Sequence, residues 1–207
     1  MRRFLFRPEV LVLLIAISLF GAKKLWVDDS TYKVGDTGPG GGTVFYVAAT
    51  PFVCGPTLES TCTYLEAAPS GWSVTPASGC QFFAGSSTED PICSWSESSD
   101  FIGTDTAIGT GYKNTLAIIA AYSSQADAAS ASQAYLGGGL EDWYLPSADE
   151  LNKLYLRQTT VGGFATVVYW SSSEHDASLA WYQYFGVGVQ DDSTKDDAAY
   201  VRPVRAF

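Results

Sequence analysis

A chain of 207 residues, 46% hydrophobic and 14% aromatic but only 16% charged, is sized for one domain and is too aromatic to be a disordered chain. The 12 basic and 22 acidic side chains give a net charge of −10, and once Arg2, Arg3, Arg7 and Glu9 are set aside the remainder holds 9 basic and 21 acidic groups, a net of −12. Such a surface repels phosphate backbones and anionic head groups, which argues against nucleic acid as a partner and for a well-solvated exterior.

Met1 to Arg7 (MRRFLFR) is a positive n-region, and Val10 to Ala22 is an apolar run in which Ser18 is the polar exception, closed by Lys23 and Lys24. A membrane span needs about 20 apolar residues, whereas a signal h-region needs about 7–15. Residues 1–24 are therefore expected to be a signal peptide, or else an uncleaved N-terminal membrane anchor, because a cut after Ala22 would leave the bulky Phe20 at the −3 position. Either sends the body out of the cytoplasm, to a secreted, periplasmic or cell-surface location, with membrane contact through this segment alone. Residues 25–34 read as a linker, and the domain as 35–207.

Gly35 to Gly40 imitates two collagen triplets, too few for a triple helix, and reads as a turn. Thr43 to Ala49 (TVFYVAA) and Thr63 to Ala68 (TYLEAA) carry the β-branched and aromatic residues of strands. Residues 69–110, rich in Ser, Gly and Pro, read as long loops. Helices are expected over 113–123, where Leu116, Ile119 and Ala120 share a face, and over 126–136, stopped by Gly137, Gly138 and Gly139. A third helix starts at Ser147, whose S-x-x-E spacing to Glu150 is a capping box, with Leu151, Leu154 and Tyr155 as its buried stripe. Val167 to Ser171, Ala180 to Phe185 and Tyr200 to Ala206 read as strands, with Asp191 to Asp197 (DDSTKDD) as a polar loop. Strands, then helices, then strands predict an α+β fold on an antiparallel sheet rather than alternating βαβ units.

Four cysteines in an exported chain predict disulfides rather than zinc, because the intervals do not match zinc-ribbon pairs. Three connectivities are possible. The short closures Cys54–Cys62 and Cys80–Cys93 cost the least entropy and are expected.

Hydrolase, P-loop and zincin motifs are missing, and His175, the single histidine, sits in a hydrophilic SSEHD stretch unsuited to a catalytic triad. No catalytic residue is assigned and the chain is not expected to be an enzyme. Asp191, Asp192, Asp196 and Asp197 are the candidate ligands for calcium, against the alternative of a solvated turn; no other cofactor is expected. Trp143, Trp170 and Trp181 fall in strand-like runs and read as core. Trp72 and Trp95 fall in the loops and read as an exposed stacking surface. Arg202 shares an alternating face with Tyr200, Val204 and Ala206, so it is expected to be buried and paired, with Glu66 or Glu174 as partner, rather than an open anion site.

GDTGPGGGTVFYV (35–47), YLEAAP (64–69), IGTGYKNT (108–115), DWYLPSADELNKLY (142–155), YWSSSE (169–174), AWYQYF (180–185) and VRPVRAF (201–207) come in the order seen in the Lcl C-terminal domain family, which this chain resembles from about Gly35 to Phe207. The family includes the C-terminal domain of a bacterial collagen-like adhesin and many exported proteins. The resemblance implies a C-type-lectin-like fold and an adhesin-like module, which for the adhesin binds sulfated glycosaminoglycans. The charge of this chain points instead to a neutral glycan or to another surface protein, unless a local basic patch around Lys153, Arg157 or Arg205 outweighs it. A structural envelope or filament subunit, with homo-oligomers as its form, is the alternative, and a secreted enzyme a more remote one.

Overall fold

The computed structural model of the chain describes residues 32–73, 80–81, 90–97, 99–122 and 127–207. Residues 1–31, which hold the expected signal or anchor and most of the expected linker, lie outside them. Among the described residues no helix is long and apolar enough to cross a membrane.

The fold is α+β. A long hairpin, β1 (Thr43–Cys54) and β2 (Ser60–Ala67), is followed by two short strands, β3 (Cys80–Gln81) and β4 (Ile92–Ser94). Four helices come next: α1 (Gly111–Tyr122), α2 (Asp127–Gln133), α3 (Ala148–Tyr155) and the single turn α4 (Gln158–Val161). The chain ends in β5 (Val168–Glu174), β6 (Leu179–Tyr184), β7 (Gln190–Thr194), β8 (Ala198–Tyr200) and β9 (Val204–Ala206). One sheet has the order β1-β2-β9 and the other β3-β4-β8-β5-β6-β7. Among the described residues pairing is antiparallel except between β5 and β8, which run parallel through Tyr169 and Tyr200, so the second sheet is mixed.

Three local readings need correction. The acidic stretch 191–197 is not simply a loop, because Gln190–Thr194 pairs along β6 as an edge strand and only the residues after it turn. The expected strand 200–206 is broken into β8 and β9. Pro203, which has no N–H to give a ladder, stands in the break beside Arg202. The 69–110 region contains β3 and β4, too short to carry a periodicity.

Both expected disulfides are present, Cys54–Cys62 across the β1–β2 hairpin and Cys80–Cys93 between β3 and β4. Successive residues of β5 face opposite ways. Tyr169 joins a cluster with Phe45, Leu65, Leu151 and Phe185, and Trp170 joins another with Trp95, Ile118 and Leu145.

Ion pairs lock the core. Arg202 is buried as expected, but its partner is Asp90, with Nη2 at 2.6 Å from Oδ2, and it stacks under Phe164. The two expected partners serve other cations: Glu174 holds Lys195 at 2.7 Å and Glu66 holds Arg205 at 3.1 Å. Glu174 also accepts from the backbone N–H of Ile102, Gly103 and Thr104. Glu66 accepts from Gly40 and Gly42. A Cβ at Gly38 would stand 2.5 Å from a Glu66 oxygen, and one at Gly40 2.5 Å from the Trp143 ring. The glycine-rich stretch that imitates collagen is thus a close-fitting collar around a buried carboxylate. Such pairs satisfy buried charge rather than add large net stability, but losing one partner is costly.

Candidate ligand-binding face

Cross-strand partners in a sheet share a face. Trp170 pairs with Tyr182 and Val168 with Tyr184 between β5 and β6. Tyr182 pairs with Asp191 and Ala180 with Ser193 between β6 and β7. One face therefore carries aromatic rings from β6 beside a carboxylate and a hydroxyl from β7. Asp197 returns to the same place, where Ser193 donates to its carboxylate. Val168, Trp170, Tyr182, Ser193 and Asp197 line a cavity of about 230 Å³. This is smaller than the roughly 300–1,000 Å³ of pockets that enclose drug-sized ligands, so it suits the edge of one ring.

Trp170 forms the floor and is fixed by its indole N–H to the Cys93 carbonyl at 3.1 Å. Tyr182 meets it edge-on at 6.4 Å. Burial first, then Asp191 and Asp192, push the Tyr182 hydroxyl above its ordinary pKa, so it stays a neutral donor. Ring faces stack on sugar rings, and carboxylate and hydroxyl oxygens accept from sugar hydroxyls. The same carboxylates repel an anion.

The sequence-level candidates are dispersed. Trp95 is fully buried, donates its N–H to the Ser171 carbonyl and lies under the Lys195 ammonium, so it is a core residue and not a stacking surface. Its short polar neighbours made it look exposed. Trp72 is half-buried, held by an N–H to the Val201 carbonyl and edge-on to Tyr135. Trp143 and Trp170 are core as expected, while Trp181 is only partly buried, against His175. The four aspartates do not converge. Strand alternation sends Asp191 toward the cavity face and Asp192 to the other, where it meets His175 at 3.0 Å, and Asp196 stands in the turn. Among the described residues no three His, Cys, Asp or Glu side chains are grouped to hold a metal ion.

Ser147 caps α3 as expected: its Oγ accepts from the Glu150 N–H, and Glu150 accepts from the Ser147 N–H at 2.8 Å. Glu150 also accepts from Gly109 N–H and from the Tyr144 hydroxyl. Burial outweighs these three donors and raises its carboxyl to about 7. Local sequence does not single out Tyr182 or Ser193 as site residues. The alternation of Ala180, Tyr182 and Tyr184 in AWYQYF was the available signal, but it needed β7 as a neighbour to become a site.

Residues 72–205 match the model of the Lcl C-terminal domain, about two thirds of the chain, and the chain belongs to that family. No curated protein is similar enough in sequence to count as a relative.

Proposed function

We propose that this chain is an extracytoplasmic, adhesin-like binding module with a C-type-lectin-like fold, and that the cavity at Tyr182, Ser193 and Asp197 takes the edge of a neutral glycan. Family membership and the two disulfides support the module and its compartment. The first and last strands of the domain lie in one sheet, which supports the fold reading. The observation that carries the ligand is Tyr182 beside the Ser193–Asp197 pair over the Trp170 floor, within a body of net negative charge. Glu66 and Glu174 are each held by backbone N–H groups and a cation, which supports a structural role for these two carboxylates.

The test is titration of neutral and sulfated oligosaccharides, with and without a calcium chelator. Neutral sugars should bind with little salt dependence, and Tyr182→Ala and Asp197→Asn should each weaken binding about tenfold, the equivalent of roughly 1.4 kcal/mol. Submicromolar heparin binding that weakens with salt, or neutral-sugar binding indifferent to Tyr182→Ala, overturns the reading. A structural envelope or filament subunit is the second reading, favoured by the exposed Val34, Val47 and Leu156 beside Lys153 and Arg157 and by the exposed Val187 and Val189 near Asp191.

A further inference from the structure

We propose that two copies of this chain associate, with the β6–β7 hairpin of one seated in a groove between β1 and α3 of the other. The groove is a cavity of about 210 Å³ whose apolar walls include Val34, Tyr46, Val47 and Leu156, with Lys153 and Arg157 at its margin. The exposed hairpin tip carries Val187 and Val189 and runs directly into Asp191. It is closed by Tyr184 N–H to the Val189 carbonyl and Gly188 N–H to the Tyr184 carbonyl, so the valines are presented on a fixed turn.

Two independent observations join these patches. The first is charge. Among the described residues Lys113, Lys195, Arg202 and Arg205 are paired with carboxylates within the chain. The remaining cations among the described residues are Lys33, Lys153 and Arg157; the last two border the groove, and Lys33 immediately precedes its Val34. Among the described residues of a strongly acidic protein, the positive charge without an ion-pair partner therefore gathers at one apolar site. The second is exposure. Of nine exposed large hydrophobic residues among the described residues, Val34, Val47 and Leu156 belong to the groove and Tyr184, Val187 and Val189 to the hairpin. Apolar residues next to acid on one side fit apolar residues next to base on the other. A sulfated polymer would satisfy the cations but would leave Val34, Val47 and Leu156 uncovered, so a second copy is the better occupant. A reciprocal contact closes a pair, and a one-way contact continues as a chain of subunits.

Sedimentation velocity of the full chain over a concentration series tests this. Leu156→Asp and Val189→Asp, both at exposed positions, should each weaken association at least tenfold with melting temperature unchanged. Lys153→Glu with Arg157→Glu in one preparation and Asp191→Lys in another should each be monomeric alone and should associate when mixed. Disulfide trapping between Leu156→Cys and Val189→Cys preparations gives a readout that does not depend on loss of binding. A monomeric wild-type chain at its highest soluble concentration overturns the proposal. So does association that survives both aspartate substitutions, as contact through the N-terminal segment would. Heparin binding abolished by Lys153→Glu, without self-association, assigns the groove to a polyanion and also overturns it.

Discussion

Glu150 is a carboxyl whose proton depends on folding. It is fully buried at the start of α3 and accepts from Ser147, Gly109 and Tyr144, and no cation contacts it among the described residues. Burial raises its pKa from 4.5 to about 7. Because the folded value lies above the unfolded one, the folded state holds a proton across this interval that the unfolded state has released. This group's contribution to stability is full below pH 4.5 and is lost as the pH rises toward 7. An interval of this width corresponds to about 3 kcal/mol. The comparison that isolates it is urea denaturation of wild type and Glu150→Gln at half-unit steps from pH 4.5 to 8. The glutamine cannot accept from all three donors, which adds an offset independent of pH. The difference between the two proteins should change by about 3 kcal/mol across the interval, with wild type losing ground as pH rises. A flat difference would refute the argument: it would mean that the three donors hold Glu150 ionised despite its burial.

Ser147→Ala removes both the acceptor for the Glu150 N–H and a donor to the Ala107 carbonyl, and thermal or urea melts should show a loss of about 1–2 kcal/mol. Lys195→Met leaves Glu174 buried without its cation, a loss of about 3–5 kcal/mol by denaturation, and adding Glu174→Gln should recover part of it. Replacing Cys54 and Cys62 by serine opens a loop of sequence separation 8 and should cost about 2–3 kcal/mol, while non-reducing peptide maps of wild type should show 54–62 and 80–93 linkages.

What could be read in advance was local. The α3 cap needs only Ser147 and Glu150, three residues apart, and the structure has it. The disulfides follow from loop length. Arg202 was legible as a buried, paired charge, but its partner was not, because Asp90 lies 112 residues away in a stretch without hydrophobic periodicity. Trp95 was misplaced for a similar reason: its burial depends on α1, β5 and Lys195, none of which its own neighbours announce. β7 was hidden because Asp191, Asp192 and Ser193 look like turn residues, and strand identity there comes from pairing with β6 rather than from propensity. The candidate face is hidden for that reason, since half of it lies on β7, whose residues have the composition of a loop.

The three buried ion pairs share an arrangement with a temporal consequence. Their cations, Lys195, Arg202 and Arg205, sit within the last thirteen residues, and their carboxylates at Glu174, Asp90 and Glu66 come earlier in the chain. A chain that emerges N-terminus first, from a ribosome or through a membrane pore, exposes every one of these carboxylates before any of the cations arrives. Until then the Glu66 collar closes on an unpaired charge, and β2 lacks its β9 neighbour. These three ion pairs can therefore form only after residues 195–205 have emerged, so the locking of the core comes late in the order of synthesis.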